Sequence, residues 1–366
     1  MFKVGAKSES VSADRDGSRD HILNRRRSMS KVSKTRAMVF CGVDVSAATL
    51  AVAVEQEDQP VEQREFANSA AGHKALIAWL RKRKAGVWVS LEATGIYSLD
   101  LALALDAADG IEVAVLNPKA VNRFAQTLRR SKTDSADAQA LAAYSRRMPF
   151  VAWRTPDREG LRLRTLSRHI DGLTVQHTRE MNRLHAAQGS ASTPRCVVED
   201  LKRSLAALER RIVRLRREAM ALVQADDAIR QRFELLTGMP GIAQISALQL
   251  LGELAPLSPQ MSARQWVAHS GLDPAHEVSG SSVHRPSRIS RAGNRHLRRA
   301  LYMPAVVAVR WDPHLKAFYE LLQSRHKAKL QALIAVARKM LHAIYGIFRS
   351  QTPYDGRKLF PALITG

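Results

Sequence analysis

Four carboxylates make the first chemical suggestion in this sequence. Asp134 and Asp137 stand three residues apart in Ser131-Lys132-Thr133-Asp134-Ser135-Ala136-Asp137-Ala138, at the head of a helix expected over 134–147. That spacing puts both on one helix face, one above the other. Facing carboxylates repel unless a cation lies between them, and a divalent metal is the usual remedy. Acids also favour helix N-termini for capping and dipole reasons, so the pair alone fits either role. Upstream, Asp44 lies in the short apolar run 39–46, and Glu92 follows another, 87–91. Taken singly, Asp44 also reads as a turn or cap residue and Glu92 as a solvated loop residue. Their order along the chain favours a joint site.

The elements that must position these acids are legible from periodicity. Residues 39–46, 49–55 and 61–66 read as strands with short connections, hence antiparallel hairpins. A helix over 69–83, a strand over 87–91, a helix over 98–108 and a strand over 112–116 follow. Asn117-Pro118 then opens a helix carrying Arg123, Arg129 and Arg130, and the helix of Asp134 and Asp137 comes last. Three antiparallel strands followed by helix–strand–helix–strand–helix is the element order of an RNase H or RuvC-like core. In that order Asp44 lies on the central strand, Glu92 at the end of its neighbour, and the aspartate pair approaches from the last helix. Four carboxylates on one sheet edge can hold two Mg²⁺ ions, which activate the attacking oxygen and stabilise the leaving oxygen of a phosphodiester.

Beyond Trp153 and Pro156 the pattern changes. Two long helices, about 158–188 and 197–222, are separated by the turn 189–194. Leu201, Leu205, Leu208, Ile212 and Leu215 recur at three and four, which suits a coiled-coil arm for self-association or a hairpin packed within the chain. Next, Leu235-Leu236-Thr237-Gly238-Met239-Pro240-Gly241-Ile242 leads into an apolar helix through Leu251. This resembles a helix-hairpin-helix, whose glycine turn, here Gly241, binds a phosphate through backbone N–H groups; a plain helix-breaking turn is the competing reading. Then His276-Glu277-Val278-Ser279-Gly280-Ser281-Ser282-Val283 precedes a tract with no acid until Asp312 and with Arg285, Arg288, Arg291, Arg295, Arg298 and Arg299. Clustered guanidiniums beside a Ser-Gly turn can cradle a phosphate and a pentavalent transition state. A loop serine is a nucleophile only if something activates it. Helices over 294–309 and 328–348 read as packing elements.

Composition sets the outer bounds. The chain has 366 residues and a net charge of +23, which points to a polyanionic partner, and nucleic acid is favoured over an anionic membrane because no amphipathic anchor is evident. No apolar run reaches the ~20 residues of a membrane span. The polar start does not read as a secretory signal. Two cysteines, Cys41 and Cys196, supply neither a disulfide framework nor zinc spacing, and a reducing cytoplasm is the simple expectation. Residues 1–37, Ser-rich and dense in charge around Arg25-Arg26-Arg27, read as a disordered basic tail; Met38 is an alternative start.

The ordered set Gly42-Val43-Asp44, Glu92-Ala93-Thr94-Gly95, Asn117-Pro118, Lys132-Thr133-Asp134-Ser135-Ala136-Asp137-Ala138, Pro240-Gly241-Ile242, Ser279-Gly280 and Ser290-Arg291-Ala292-Gly293-Asn294 resembles the DEDD-type insertion-sequence transposases. These form the one-ten family, which includes bridge-RNA-guided recombinases and Piv-type DNA invertases. The resemblance covers roughly residues 38–350. It implies an acidic tetrad of Asp44, Glu92, Asp134 and Asp137 with Mg²⁺, and a C-terminal transposase domain supplying Ser279 as a nucleophile that links covalently to DNA. It further implies a structured guide RNA pairing with donor and target DNA, dimers assembling to a tetramer, an active site shared between protomers, and a bacterial, nucleoid-associated cytoplasmic enzyme. Nucleic acid would be contacted by Arg123, Arg129, Arg130, Lys132, Gly241 and the arginines of the basic tract.

The expected architecture is therefore α/β plus all-α: a tail over 1–37, a RuvC-like domain over 38–150, a helical hairpin over 151–230, a mainly helical transposase domain over 231–350 and a tail over 351–366. Competing functions are a RuvC-like nuclease that hydrolyses DNA with water, an invertase without guide RNA, and a non-catalytic nucleic-acid scaffold.

Overall fold

The computed structural model describes residues 38–57, 59–83, 85–93, 95, 97–128, 133–279 and 283–359, with the backbone alone at 276–279 and 283–287. The expected basic tail, Arg129, Arg130, Lys132 and Gly280-Ser281-Ser282 lie outside the described residues, as do the side chains of Ser279 and Arg285. The described residues fall into two compact units that divide between Thr155 and Pro156.

The first unit is mixed α/β. Its strands are β1 (Met38–Val45), β2 (Thr49–Glu55), β3 (Glu62–Ala67), β4 (Gly86–Glu92) and β5 (Ile111–Leu116). Their order in the sheet is β3-β2-β1-β4-β5; β2 and β3 run antiparallel to their neighbours, while β1, β4 and β5 are mutually parallel. Short hairpin connections make the first half antiparallel. The second half crosses over through α1 (Ala70–Arg81) and α2 (Leu99–Asp106), which is what parallel pairing requires. Val39, Cys41 and Val43 share one face of β1 and bury completely in a core with Leu76 and Leu80 of α1 and Leu101 and Leu105 of α2. Burial pushes the Cys41 thiol up to about 12, so it acts as a small apolar filler.

The other face of β1 meets α4 (Asp134–Arg147), which follows α3 (Pro118–Leu128). The buried face of α4 is Ala136, Ala138, Ala140, Leu141, Ala142 and Ala143. Such small side chains let a helix backbone sit close to a sheet, and Gly42 opposite completes the fit. A Cβ on Gly42 would lie 2.0 Å from the Ala138 carbonyl oxygen and 2.3 Å from the Ala142 nitrogen.

The second unit is mainly helical. It comprises α5 (Arg158–Gln188), α6 (Arg195–Ala225), α7 (Asp227–Thr237), α8 (Gln244–Leu254), α9 (Ala263–Ser270), α10 (Arg295–Trp311), α11 (Pro313–Ser324) and α12 (Lys329–Ser350), with a two-stranded antiparallel hairpin of β6 (Pro274–Ser279) and β7 (Val283–Ile289). The expected helical hairpin is α5 and α6 packed on each other within the chain. Leu163, Ile170 and Leu173 of α5 and Leu208, Ile212, Ala219 and Val223 of α6 share one core with α7 through α10 and α12. Between Leu173 and Leu201 no residue of this pair is buried among the described residues. Two elements were not expected. The basic tract after Ser279 forms β7, and α11 intervenes between the two anticipated C-terminal helices, capped by Asp312 and opened by Pro313.

Candidate active site

In the first unit the register decides where the acids stand. Gly42 pairs with Ser90 and Val43 with Leu91 on parallel strands, so Asp44 and Glu92 follow at the next level on neighbours about 4.8 Å apart. Alternation puts Asp44 on the side of Gly42 and Glu92 on the side of Ser90, the face covered by α4. Both acids are half-buried. One pleat below Glu92, the buried Ser90 hydroxyl has no hydrogen-bond partner among the described residues.

The direction of α4 follows from its far end. The Arg146 guanidinium pairs with Glu55 at 2.6 Å, and Glu55 lies opposite Phe40 at the start of β1. Just past the helix, Phe150 stacks on Trp88 at 4.5 Å. The helix therefore ends over the beginning of β1 and begins toward Asp44. Asp134 and Asp137 lie one turn before Ala138 and Leu141, on the stripe that meets Gly42. Asp137 is partly buried and Asp134 exposed. Neither is the capping residue: the Thr133 hydroxyl accepts from the Ala136 N–H at 3.2 Å. Ser135 donates to Gln63 of β3 at 2.7 Å, fixing the first turn to the edge strand. Among the described residues, no three Asp, Glu, His or Cys side chains are gathered tightly enough to hold a metal as they stand.

In the second unit Ser279 closes β6, opposite Val283. The base of this hairpin is tied down at several points. The Ser290 hydroxyl donates to the Asp273 carboxylate at 2.6 Å, and the Ser290 N–H donates to the Asp273 carbonyl at 2.9 Å. Arg291, at φ 52°, donates to the Gly271 carbonyl and Asn294 to the His269 carbonyl. The Asn294 carboxamide oxygen caps α10, accepting from His296 and Leu297 N–H groups, while its amide donates to Glu253 at 2.6 Å. Glu253, buried on α8, is held by the Arg168 fork at 2.6 and 2.8 Å. Burial pushes His269 and His296 below the ordinary histidine value, with Arg168 adding to the shift and Glu253 opposing it.

The Gly238–Ile242 turn joins α7 to α8. Gly241 has φ +89°, and a Cβ there would lie 2.5 Å from the Pro304 carbonyl oxygen of α10. Ala243 offers no side-chain cap and is exposed at the start of α8, where it lines a cavity of about 430 Å³.

Residues 41–188 match the family model DEDD_Tnp_IS110, described as Transposase, and residues 233–320 match the model described as Transposase IS116/IS110/IS902 family. The chain belongs to the IS110 transposase family. It is an enzyme of the DNA transposase/recombinase class. This IS110-family chain is 28% identical to the pilin gene-inverting protein of Moraxella bovis over 80% of its own length and 90% of that protein. It is 30% identical to the insertion element IS110 43.6 kDa protein of Streptomyces coelicolor over 44% of its length and 38% of that protein.

Within this family member the anticipated arginines divide. Arg123, Arg288, Arg291 and Arg295 are exposed. Arg298 instead donates to the Ser270 carbonyl at 2.7 Å, and Arg299 pairs with Asp171 at 3.1 Å, so both also serve the fold. Sequence reasoning missed Arg168 and Glu253, which are 85 residues apart. It also missed Asn68, whose amide bonds the Ser46 carbonyl at 2.7 Å and the Tyr97 carbonyl at 3.2 Å, tying together the loops that follow Asp44 and Glu92.

Proposed function

We propose that this IS110-family enzyme cuts and rejoins DNA by phosphoryl transfer through a serine ester. Asp44, Glu92, Asp134 and Asp137 serve as its acid set, on a RuvC-like domain over 38–150. The observation that carries this is the level pairing of Asp44 and Glu92 beneath the acid-bearing start of α4. The strand order β3-β2-β1-β4-β5, with one antiparallel and one parallel half, supports the RuvC-like assignment.

The donor set suits Mg²⁺. That ion keeps several waters and takes one or two carboxylates plus substrate oxygens, so it needs no closed cage of three protein ligands. The Ser90 hydroxyl, without a partner among the described residues, supports a polar floor to the site. When bound, the metal would stabilise charge on the phosphate under attack. In the ester-forming step the Ser279 oxygen bonds to phosphorus and one phosphorus–oxygen bond to the sugar breaks. The serine proton passes to a base and the released sugar oxygen takes one up. Attack by a sugar hydroxyl of the partner strand reverses the sequence and restores the serine. The bond count is conserved, so rejoining needs no external energy source.

The basic tract, with Arg288, Arg291 and Arg295 exposed, supports contacts to phosphate backbones, and the uncapped α8 start supports a sequence-independent phosphate contact at the helix-hairpin-helix turn. The α5–α6 pair over 151–230 serves as an arm for dimers that assemble to a tetramer, and a transposase domain over 231–350 carries Ser279. A structured guide RNA would choose donor and target. The relative named as a pilin gene-inverting protein favours a second reading, inversion without guide RNA. RNA co-purified with the protein separates the two: a discrete structured species supports guidance, and a nucleic-acid-free yet active protein supports inversion alone. For the acid set, Asp44→Asn is expected to bind DNA and leave it uncut, and EDTA is expected to stop the parent enzyme. Cleavage that persists in EDTA would rule the metal role out.

A further inference from the structure

We infer that the groove between α1 and α2 is a subsite for one unpaired nucleotide beside the candidate catalytic edge, a ligand class that rests on the nucleic-acid reading above. The groove has a volume of about 650 Å³, in the range of small-ligand sites, and Ala47 and Tyr97 are among its lining residues. These residues lie in the loops that directly follow the strands of Asp44 and Glu92. Ligands of open α/β sheets bind beyond the carboxyl ends of parallel strands, which is where this groove lies.

Its polar wall is built rather than incidental. Both N–H groups of the Asn68 amide are spent on the Ser46 and Tyr97 carbonyls. Its oxygen is therefore the acceptor toward His73 Nε2 at 2.8 Å, and the imidazole must bring the hydrogen. His73 is buried, and burial, outweighing the pull of Asp100, holds it below the ordinary histidine value. A neutral Nε2–H tautomer satisfies this arrangement. The clamp fixes the backbone of Tyr97, whose side chain is left 50% exposed at the groove.

The remaining lining supplies what a nucleotide needs. An exposed tyrosine ring offers a stacking surface for a base, Lys74 offers a cation for a phosphate, and Ile77 an apolar contact. Asp100 would repel a phosphate but can accept from an exocyclic amino group on a base edge. A paired base has both faces stacked and its edge engaged, so only an unpaired or flipped-out base can use this surface. Strand exchange needs such bases transiently at the cut site, whether they belong to DNA or to an RNA strand.

Binding of the full-length chain to a short single-stranded oligonucleotide carrying 2-aminopurine tests this, alongside the same sequence as blunt duplex and as RNA. Tyr97→Ala is expected to weaken single-strand binding about tenfold and to abolish the fluorescence change, with duplex affinity and melting temperature unchanged. Tyr97→Phe is expected to behave as the parent. A loss confined to the DNA arm assigns the subsite to a substrate strand; a loss confined to the RNA arm assigns it to a guide. Tyr97→Ala binding single strands as well as the parent, or losing single strand and duplex equally, would overturn the inference. The readout is binding without strand exchange, so failure of the serine chemistry leaves it standing.

Discussion

Gly42 of β1 and Ala138 of α4 are in backbone contact: an added Cβ at Gly42 would stand 2.0 Å from the Ala138 carbonyl oxygen. Nothing flexible lies in the way, because the next nearest atoms are the Ala142 nitrogen and the Leu141 Cβ. Gly42→Ala must therefore lift the helix that carries Asp134 and Asp137. Overpacking of this kind costs about 1–3 kcal/mol, and rigid backbone on both sides puts this site at the upper end. Thermal unfolding of the variant is expected to shift down by several degrees, with DNA cleavage lost further than stability alone explains. A variant as stable and active as the parent would show that α4 does not need this close approach.

Asn294 has two separable tasks, capping α10 and donating to Glu253. Asn294→Asp keeps a good N-cap but replaces the donor amide with a carboxylate facing Glu253. The expected result is a loss of about 1–2 kcal/mol by denaturant titration, from repulsion at a buried acid. Adding Glu253→Gln supplies an amide donor from the other side and is expected to recover much of that loss. If the double variant is no better than the sum of the two singles, the Asn294–Glu253 bond is not what matters.

Glu253 also sets an acid dependence. Burial raises its pKa, but hydrogen bonds from Arg168 and Asn294 outweigh it, and the carboxyl titrates below the ordinary glutamate value. A folded value below the unfolded one gives stability that is present above the ordinary glutamate range and lost as pH falls through the folded value. Glu253→Gln removes this term. Its melting temperature is expected to lie below the parent's at neutral pH and to fall less steeply under acid. Since Arg168 is 41% exposed and can regain water, the neutral-pH deficit is set at about 2 kcal/mol, under the range for a fully buried pair. Parallel melting curves for the two proteins across the acid range would contradict this.

Each part of the fold leaves a different kind of signal in the sequence. The bounds of β2, α4 and α5 fall on the expected residues, because apolar runs end there in turns and Thr133 and Asp157 mark helix starts. Asp44 and Glu92 could be placed on strands because a strand's position along a βαβ order is written in its periodicity. The β6–β7 hairpin was hidden by its composition: His284, Arg285, Pro286 and Arg288 break alternation, and an internal proline argues against a strand. Asp312-Pro313, a cap followed by proline at the first helical position, was the available signal for α11. Arg168–Glu253 and Asn68 left no local signal, since a bond across the fold depends on packing that no short window contains.

In the proposed reaction Ser279 becomes joined to DNA. Its most direct test is to trap the protein–DNA complex under denaturing conditions, digest it, and identify the linked peptide by mass spectrometry. A phosphate ester is expected on the peptide that contains Ser279, and no adduct from Ser279→Ala. An ester mapped to any other side chain, or an undiminished adduct from Ser279→Ala, would contradict it.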